Sequence, residues 1–369
     1  MDYKKLAEIA EKRGVSPKYQ ETIRLYLERL LASGQSLYSI RNKIFACCQL
    51  TEWLNEREYN EFKEETCFNG YISHLKQRGL KDNTIDHMKL LIKDFIGWHL
   101  KSNPPAYLGC IKLKNSKKEL IEAELLKPSE IKDMMLRAGK QRDKAIIITL
   151  YETAARISEL LNIRLKDIEF GEQETIIRIM VSKTKKRKVP VFDATPYLLD
   201  LVNNHPYKDD PNAYAFMSYA SNRYGKMLWP DSVGRILKLT AKRAGIKKPV
   251  YCHLLRHSRL SWLAKVEKLN ERDLRILAGW SERSDMPNTY LHYNIEGVLE
   301  KMRINRGILD TKGLEQEHEK QVLQPKKCPR CQRTNPSDSS FCNCGMPLTT
   351  TAHLKLEEIK KQEQELPKS

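Results

Sequence analysis

At 369 residues the chain has room for two domains and a smaller module, and a 40% hydrophobic content supplies real cores. Its 65 Lys and Arg against 47 Asp and Glu leave +18 charges, which point to a polyanionic partner, nucleic acid above all, rather than to a merely soluble basic protein. No apolar run reaches the ~18–20 residues a membrane span needs, and the N-terminus is charged rather than signal-like. Nine Cys, an odd count, do not fit a disulfide framework, so the expectation is a cytoplasmic protein.

Residues 1–102 read as a helical bundle. Leu37, Ile40, Ile44, Cys47, Cys48 and Leu54 form one apolar stripe over Leu37–Leu54, with Ser36 as its cap. Ile85, Met88, Leu91, Ile92, Phe95 and Ile96 repeat that pattern in a helix ending near Leu100. Two further helices fit Tyr19–Ala32 and Tyr59–Arg78, closed by Gly34 and Gly79. Asn103-Pro104-Pro105 ends the bundle, and residues 103–126 read as a linker. A second domain is expected over 127–309, mainly α with a small β-hairpin, and Pro128 suits the first turn of its opening helix.

Lys144–Thr153 is apolar enough to be a buried helix, and Arg156 opens the next one. A guanidinium at the edge of a buried element is costly unless used. Phosphate binding and a structural pair with Glu159 both remain open. Thr175–Val181 and Lys188–Phe192 predict a hairpin, and five of the six residues from Lys183 to Lys188 are basic. Lys185, Lys186, Arg187 and Lys188 are therefore expected to lie over a phosphate backbone, against the alternative of a solvated loop. A basic helix to Gly245 follows, with Asp231 or Ser232 as its cap.

The stretch from Tyr251 to Asn294 carries the chemistry. His253 and Arg256 sit three apart in a helical pattern and share a face. Asn270 caps the helix that Gly279 stops, Trp280 opens a polar turn, and Tyr290 begins another short helix. An imidazole, a guanidinium and a phenol without paired carboxylates suggest phosphate chemistry, because Arg is a bidentate donor to phosphate and Tyr can attack phosphorus.

A helix is expected over 295–308, a linker over 310–327, a small module over 328–348 and a charged tail over 349–369. Cys328, Cys331, Cys342 and Cys344 form two knuckles whose spacing suits a structural Zn2+ ion, with Gly345 allowing the tight turn. The second knuckle is Cys-x-Cys rather than Cys-x-x-Cys. Some thirty residues cannot bury a core alone, so a metal staple is physically sensible.

Together these motifs resemble the tyrosine recombinase (phage integrase) family over most of the chain up to about Asn305. The matching residues are Thr153-Ala-Ala-Arg156-Ile-Ser-Glu159-Leu, where the family motif has Gly at the second position. The others are Lys183 in the hairpin, His253-Leu-Leu-Arg256, Leu277-Ala-Gly-Trp280-Ser, and Tyr290-Leu-His292. The spacing from Trp280 to Tyr290 is about one residue longer than the family's, and the turn after Lys183 about one shorter. Tyr293 thus rivals Tyr290, and Lys185 or Lys186 rivals Lys183.

The resemblance implies a core-binding, SAM-like helical bundle (1–102) joined to a recombinase catalytic domain. It also implies site-specific cutting and rejoining of double-stranded DNA through a 3′-phosphotyrosine intermediate. Arg156, Lys183, His253, Arg256, Trp280 and Tyr290 would be catalytic, with no metal in the reaction. His253 would take or share the proton of Tyr290, and Glu159 and His257 would be supporting or packing residues. A tetramer on DNA, monomeric when free, would exchange a C-terminal helix supplied by Val298–Ile304. The zinc ribbon on such a body points to an archaeal or mobile-element, Xer-like recombinase. A type IB-like topoisomerase and a catalytically silent DNA-binding regulator are the alternatives.

Overall fold

The computed structural model of the chain describes residues 3–55, 57–101, 105–111, 122–172, 174–182, 185–291, 302–303, 306, 322–352 and 354–356. The chain divides into two compact units, Met1–Lys118 and Glu119–Ser369. Among the described residues no helix is long and apolar enough to cross a membrane.

The first unit is built from α1 (Tyr3–Lys12), α2 (Pro17–Ala32), α3 (Leu37–Leu54), α4 (Glu65–Gln77) and α5 (Asp82–His99). The predicted apolar stripe of α3 is buried, and Ser36 accepts from the Ser39 N–H as the cap. Aromatic rings fill the core: Tyr26, Tyr59, Phe95 and Trp98 meet edge-on or tilted at 5.0–6.0 Å. The polar end of Tyr26 donates to Asp94 at 2.6 Å, and Lys43 pairs with the same carboxylate at 2.6 Å. The single helix expected over Tyr59–Arg78 is instead a 3-10 turn, Tyr59–Lys63, followed by α4. Glu64 between them is extended (φ −91°, ψ 129°). That break lets Tyr59 and Phe62 turn into the core, which a continuous helix would not allow.

The second unit runs α6 (Pro128–Leu136), α7 (Gln141–Glu152), α8 (Ile157–Leu161), β1 (Ile168–Phe170), β2 (Thr175–Ile179), β3 (Arg187–Val191), α9 (Thr195–Asn203), α10 (Pro230–Arg243), α11 (Cys252–Lys265) and α12 (Glu271–Ala278). Every residue of α7 from Ala145 to Glu152 is buried, so this helix is the axis on which the rest packs. The hairpin gains a third, antiparallel strand: β1 pairs with β2 (Ile168↔Ile177), and β2 with β3 (Ile177↔Val189). Its inner face alternates Ile177, Ile179, Val189 and Val191 into the core. α10 starts at Pro230 behind Trp229 with no side-chain cap, not at Asp231 or Ser232, because the fixed φ of proline pre-forms the first turn.

The short strands β4 (Lys326–Lys327) and β5 (Thr334–Asn335) belong to the cysteine module. Leu323, within the stretch expected to be a linker, is 3% exposed and joins the core of the second unit. Asp338 seats the module on that unit by pairing with Lys144 on α7 at 2.5 Å and accepting from the Tyr197 hydroxyl on α9 at 2.7 Å. Lys183, the rival nucleophile Tyr293, His292 and most of the helix expected over 295–308 lie outside the described residues.

Candidate active site

Several segments of the second unit converge on Arg256 to form one wall. The first follows α7. After Glu152 the chain leaves the helix through Ala154, which adopts a left-handed conformation (φ 47°). That conformation aims the Ala154 carbonyl inward, where it accepts from Nη1 of Arg256. The second turn ends α12 at Gly279 (φ 66°), and the Ala278 carbonyl just before it accepts from Nη2 of Arg256 at 2.9 Å. Arg256 on α11 is therefore held between the C-terminal ends of two helices, whose carbonyls carry partial negative charge. Only 2% of it is exposed, and burial together with the charge of Arg156 lowers its pKa to about 10. It stays a cation at neutral pH.

Arg156 stands at the N-cap of α8, and Glu159 binds it twice, through the backbone N–H (2.9 Å) and Nη1 (2.8 Å). Ser182 donates to the same carboxylate at 2.7 Å and Arg187 at 2.9 Å. Burial opposes ionisation of Glu159, but these donors outweigh it and hold its carboxyl near 2. The structural pair weighed for Arg156 therefore exists, and about three-quarters of the Arg156 side chain is covered.

The hairpin cations divide. Lys185, Lys186 and Lys188 are exposed, with Lys185 3.4 Å from Glu282. Arg187 contradicts its expected place over DNA: its side chain is 5% exposed and points inward. There it joins Glu159 to the Leu277 carbonyl (2.7 Å) and packs so close to Gly279 that a Cβ at that position would lie 2.6 Å from Nη1. A buried carboxylate needed this cation more than the surface did.

Trp280 and Tyr290 form the floor. Their rings stack at 5.5 Å and 21°, and Arg256 lies over Trp280 at 5.6 Å. Tyr290 does not begin a helix. It closes a 3-10 turn, Met286–Thr289, with Pro287 in its first turn. It is 2% exposed, and burial raises its pKa to about 12 despite Arg256. The imidazole at its hydroxyl is His257, with Nδ1 2.5 Å from the oxygen, and not His253. His253 is exposed and meets the His257 ring edge-on at 4.4 Å. His257 follows Arg256 directly in sequence. Its spacing from His253, four residues on a helix, was the available signal for a shared face.

Far from this wall, the four module thiols lie within 4.8 Å of one another, with Cys331–Cys342 at 3.5 Å and Cys328–Cys344 at 3.6 Å. Tetrahedral thiolates on zinc at about 2.3 Å stand about 3.8 Å apart, so the donor set fits one ion. Gly345 (φ 84°) makes the turn that brings the second knuckle round. The cluster can bind a metal.

Residues 124–296 match the phage integrase family. The chain is 30% identical to the tyrosine recombinase XerA of Pyrococcus furiosus over 191 residues, 51% of this chain and 63% of that one. It is 36% identical to XerD of Bifidobacterium longum over 126 residues, 32% of this chain and 39% of that one. The chain thus spans less than two-thirds of the length of either of these curated relatives. In fold it is similar to the XerH site-specific recombinase bound to difH substrate (TM-score 0.56, 17% identity, 74% of this chain and 81% of that one). It is likewise similar to the Tn1549 transposon integrase in complex with circular intermediate DNA (TM-score 0.55, 20% identity, 77% and 99%).

Proposed function

We propose that the chain is a site-specific DNA recombinase that cuts and rejoins duplexes through a covalent bond to Tyr290. The observation that carries this reading is Arg256, buried between two helix ends beside a stacked Trp280–Tyr290 pair. A guanidinium kept charged in a water-poor wall is preorganised for a phosphate's non-bridging oxygens, where negative charge concentrates in the transition state. Arg156, fixed by Glu159, supplies the second clamp. Trp280 packs the nucleophile and offers its indole N–H, and exposed His253 donates to the phosphate from the lip. A lysine of the hairpin, Lys183 or its neighbours Lys185 and Lys186, protonates the departing 5′-oxygen. The phosphotyrosine ester keeps the bond energy, so religation by the 5′-hydroxyl needs no external energy source.

Double-stranded DNA as partner follows from the +18 charge and the exposed hairpin lysines. Action as a tetramer on two duplexes is part of the reading and rests on the family. The four cysteines hold a structural zinc ion that leaves no position open for substrate.

The test is an adduct that survives denaturation. The full chain should trap labelled duplex covalently, and Tyr290→Phe should abolish the adduct while leaving DNA affinity within about twofold. An adduct lost in Tyr293→Phe but kept in Tyr290→Phe would overturn the nucleophile. Strand exchange between two labelled duplexes is expected. Relaxation of supercoils without exchange would favour a topoisomerase, and DNA binding with no adduct a regulator.

A further inference from the structure

We propose that His257, rather than His253, receives the Tyr290 proton as the phenolic oxygen bonds to phosphorus, making His257 a catalytic residue. The inference rests on the strand-transfer reading and assigns the base within it.

Among the described residues, His257 is the side chain that hydrogen-bonds the Tyr290 hydroxyl, at 2.5 Å from Nδ1. The two rings are 5.7 Å apart and tilted by 30°, which brings the Nδ1 edge of one to the oxygen of the other. His253 meets the back of this pair: its ring is edge-on to His257 at 4.4 Å and its own surface is open. The backbone fixes the arrangement, because His257 follows Arg256 on α11 and Arg256 is tied at both nitrogens to the ends of α7 and α12.

The charges around the imidazole agree. Burial, the neighbouring His253 and the cationic Arg256 lower His257 to about 4, so at neutral pH it is uncharged with a nitrogen lone pair to offer. The phenol, raised to about 12 by burial, keeps its proton in the resting protein, and in the tautomer with the imidazole proton on Nε2 it donates to Nδ1. A bound DNA phosphate adds a negative charge beside Arg256 and offsets the cations that depress His257.

The Tyr290 O–P bond forms, the P–O5′ bond breaks, the phenolic proton moves to Nδ1 of His257, and the 5′-oxygen takes a proton from the hairpin lysine. In religation the 5′-hydroxyl attacks and returns its proton to the hairpin lysine, the Tyr290 O–P bond breaks, and the leaving phenolate recovers its proton from His257.

The experiment uses the full chain and a nicked duplex recovered by binding from a random-sequence pool, read as single-turnover adduct formation. His257→Phe should bind that duplex within about twofold of wild type and melt within a few degrees of it, yet form adduct about 100-fold more slowly. His257→Asn restores an acceptor near Nδ1 without basicity and should remain at least about tenfold slow. Wild-type rate should be flat above about pH 6. The variants should climb with pH, because the phenol must then ionise into solvent. A 5′-bridging sulfur, which leaves without a proton, should rescue hairpin-lysine variants and not His257→Phe. Wild-type rates in His257→Phe, full restoration by His257→Asn, rescue by the bridging sulfur, or a pH profile unchanged in shape each overturn the assignment. If His253→Phe shows the climbing profile and His257→Phe does not, His253 is the base. A wild-type chain that forms no adduct, like Tyr290→Phe, overturns the strand-transfer reading itself.

Discussion

Ala154 shows how one residue's backbone can shape the site. Its left-handed φ of 47° is what turns its carbonyl onto Arg256, and the matching family motif has Gly there. An L-residue in that region carries roughly 1–2 kcal/mol of strain. Replacing it by Gly removes the strain but loosens the unfolded chain by about 0.4–1 kcal/mol. The difference favours Ala154→Gly by about 0.5 kcal/mol, or about 1–2 °C in melting temperature for a unit of this size. Ala154→Val should go the other way, since a β-branched side chain at positive φ is a genuine outlier. Scanning calorimetry of the two variants decides the matter. A Gly variant less stable than wild type would mean that the buried methyl matters more than the backbone.

At the scale of elements, α7 separates two functions. Lys144, which holds the cysteine module through Asp338, is nine residues before Thr153, or about 14 Å along the helix axis from the end that leads to Arg156. Metal loading should therefore act on stability and leave the chemistry alone. Asp338 is 5% exposed in that pair, so Asp338→Ala strands a partly buried ammonium and leaves the Tyr197 hydroxyl with Ser337 as its remaining partner, at roughly 1–3 kcal/mol. We expect melting to fall by several degrees with Asp338→Ala or with a zinc chelator, and adduct formation at 25 °C to stay within about twofold. An unchanged melting temperature with slowed adduct formation would reverse this assignment. The same elements mark what the sequence disclosed. Where capping and periodicity are local, as in α3 with Ser36 or α12 with Asn270 and Gly279, bounds and stops were readable. The break at Glu64, the third strand β1 and the proline start of α10 were not, because cross-chain packing and pairing decide them. The site divides similarly. The residue types on the wall were legible from motifs. The inward turn of Arg187 and the meeting of His257 with Tyr290 depend on contacts spanning 28 and 33 positions in sequence.

For the whole molecule, net charge overstates what a duplex can feel. Of the basic hairpin residues described, Arg187 is spent on Glu159 inside the fold, whereas Lys185, Lys186 and Lys188 stand in solvent. Only a cation that displaces counterions from phosphates contributes to the salt dependence of binding, at about 0.9 in the slope of log K against log salt for each contact. Replacing Lys185, Lys186 and Lys188 together by Ala should therefore flatten that slope by about 2–3 on a non-specific duplex, with the melting temperature nearly unchanged. Arg187→Met should do the reverse. It should leave the slope within about 0.5 of wild type, because its charge never met the phosphate. It should lower the melting temperature, because Glu159 keeps its buried charge with one partner fewer. Affinities titrated across salt, with melts on the same samples, separate the two. A slope that drops for Arg187→Met and holds for the triple variant would place the DNA on the opposite side of the hairpin.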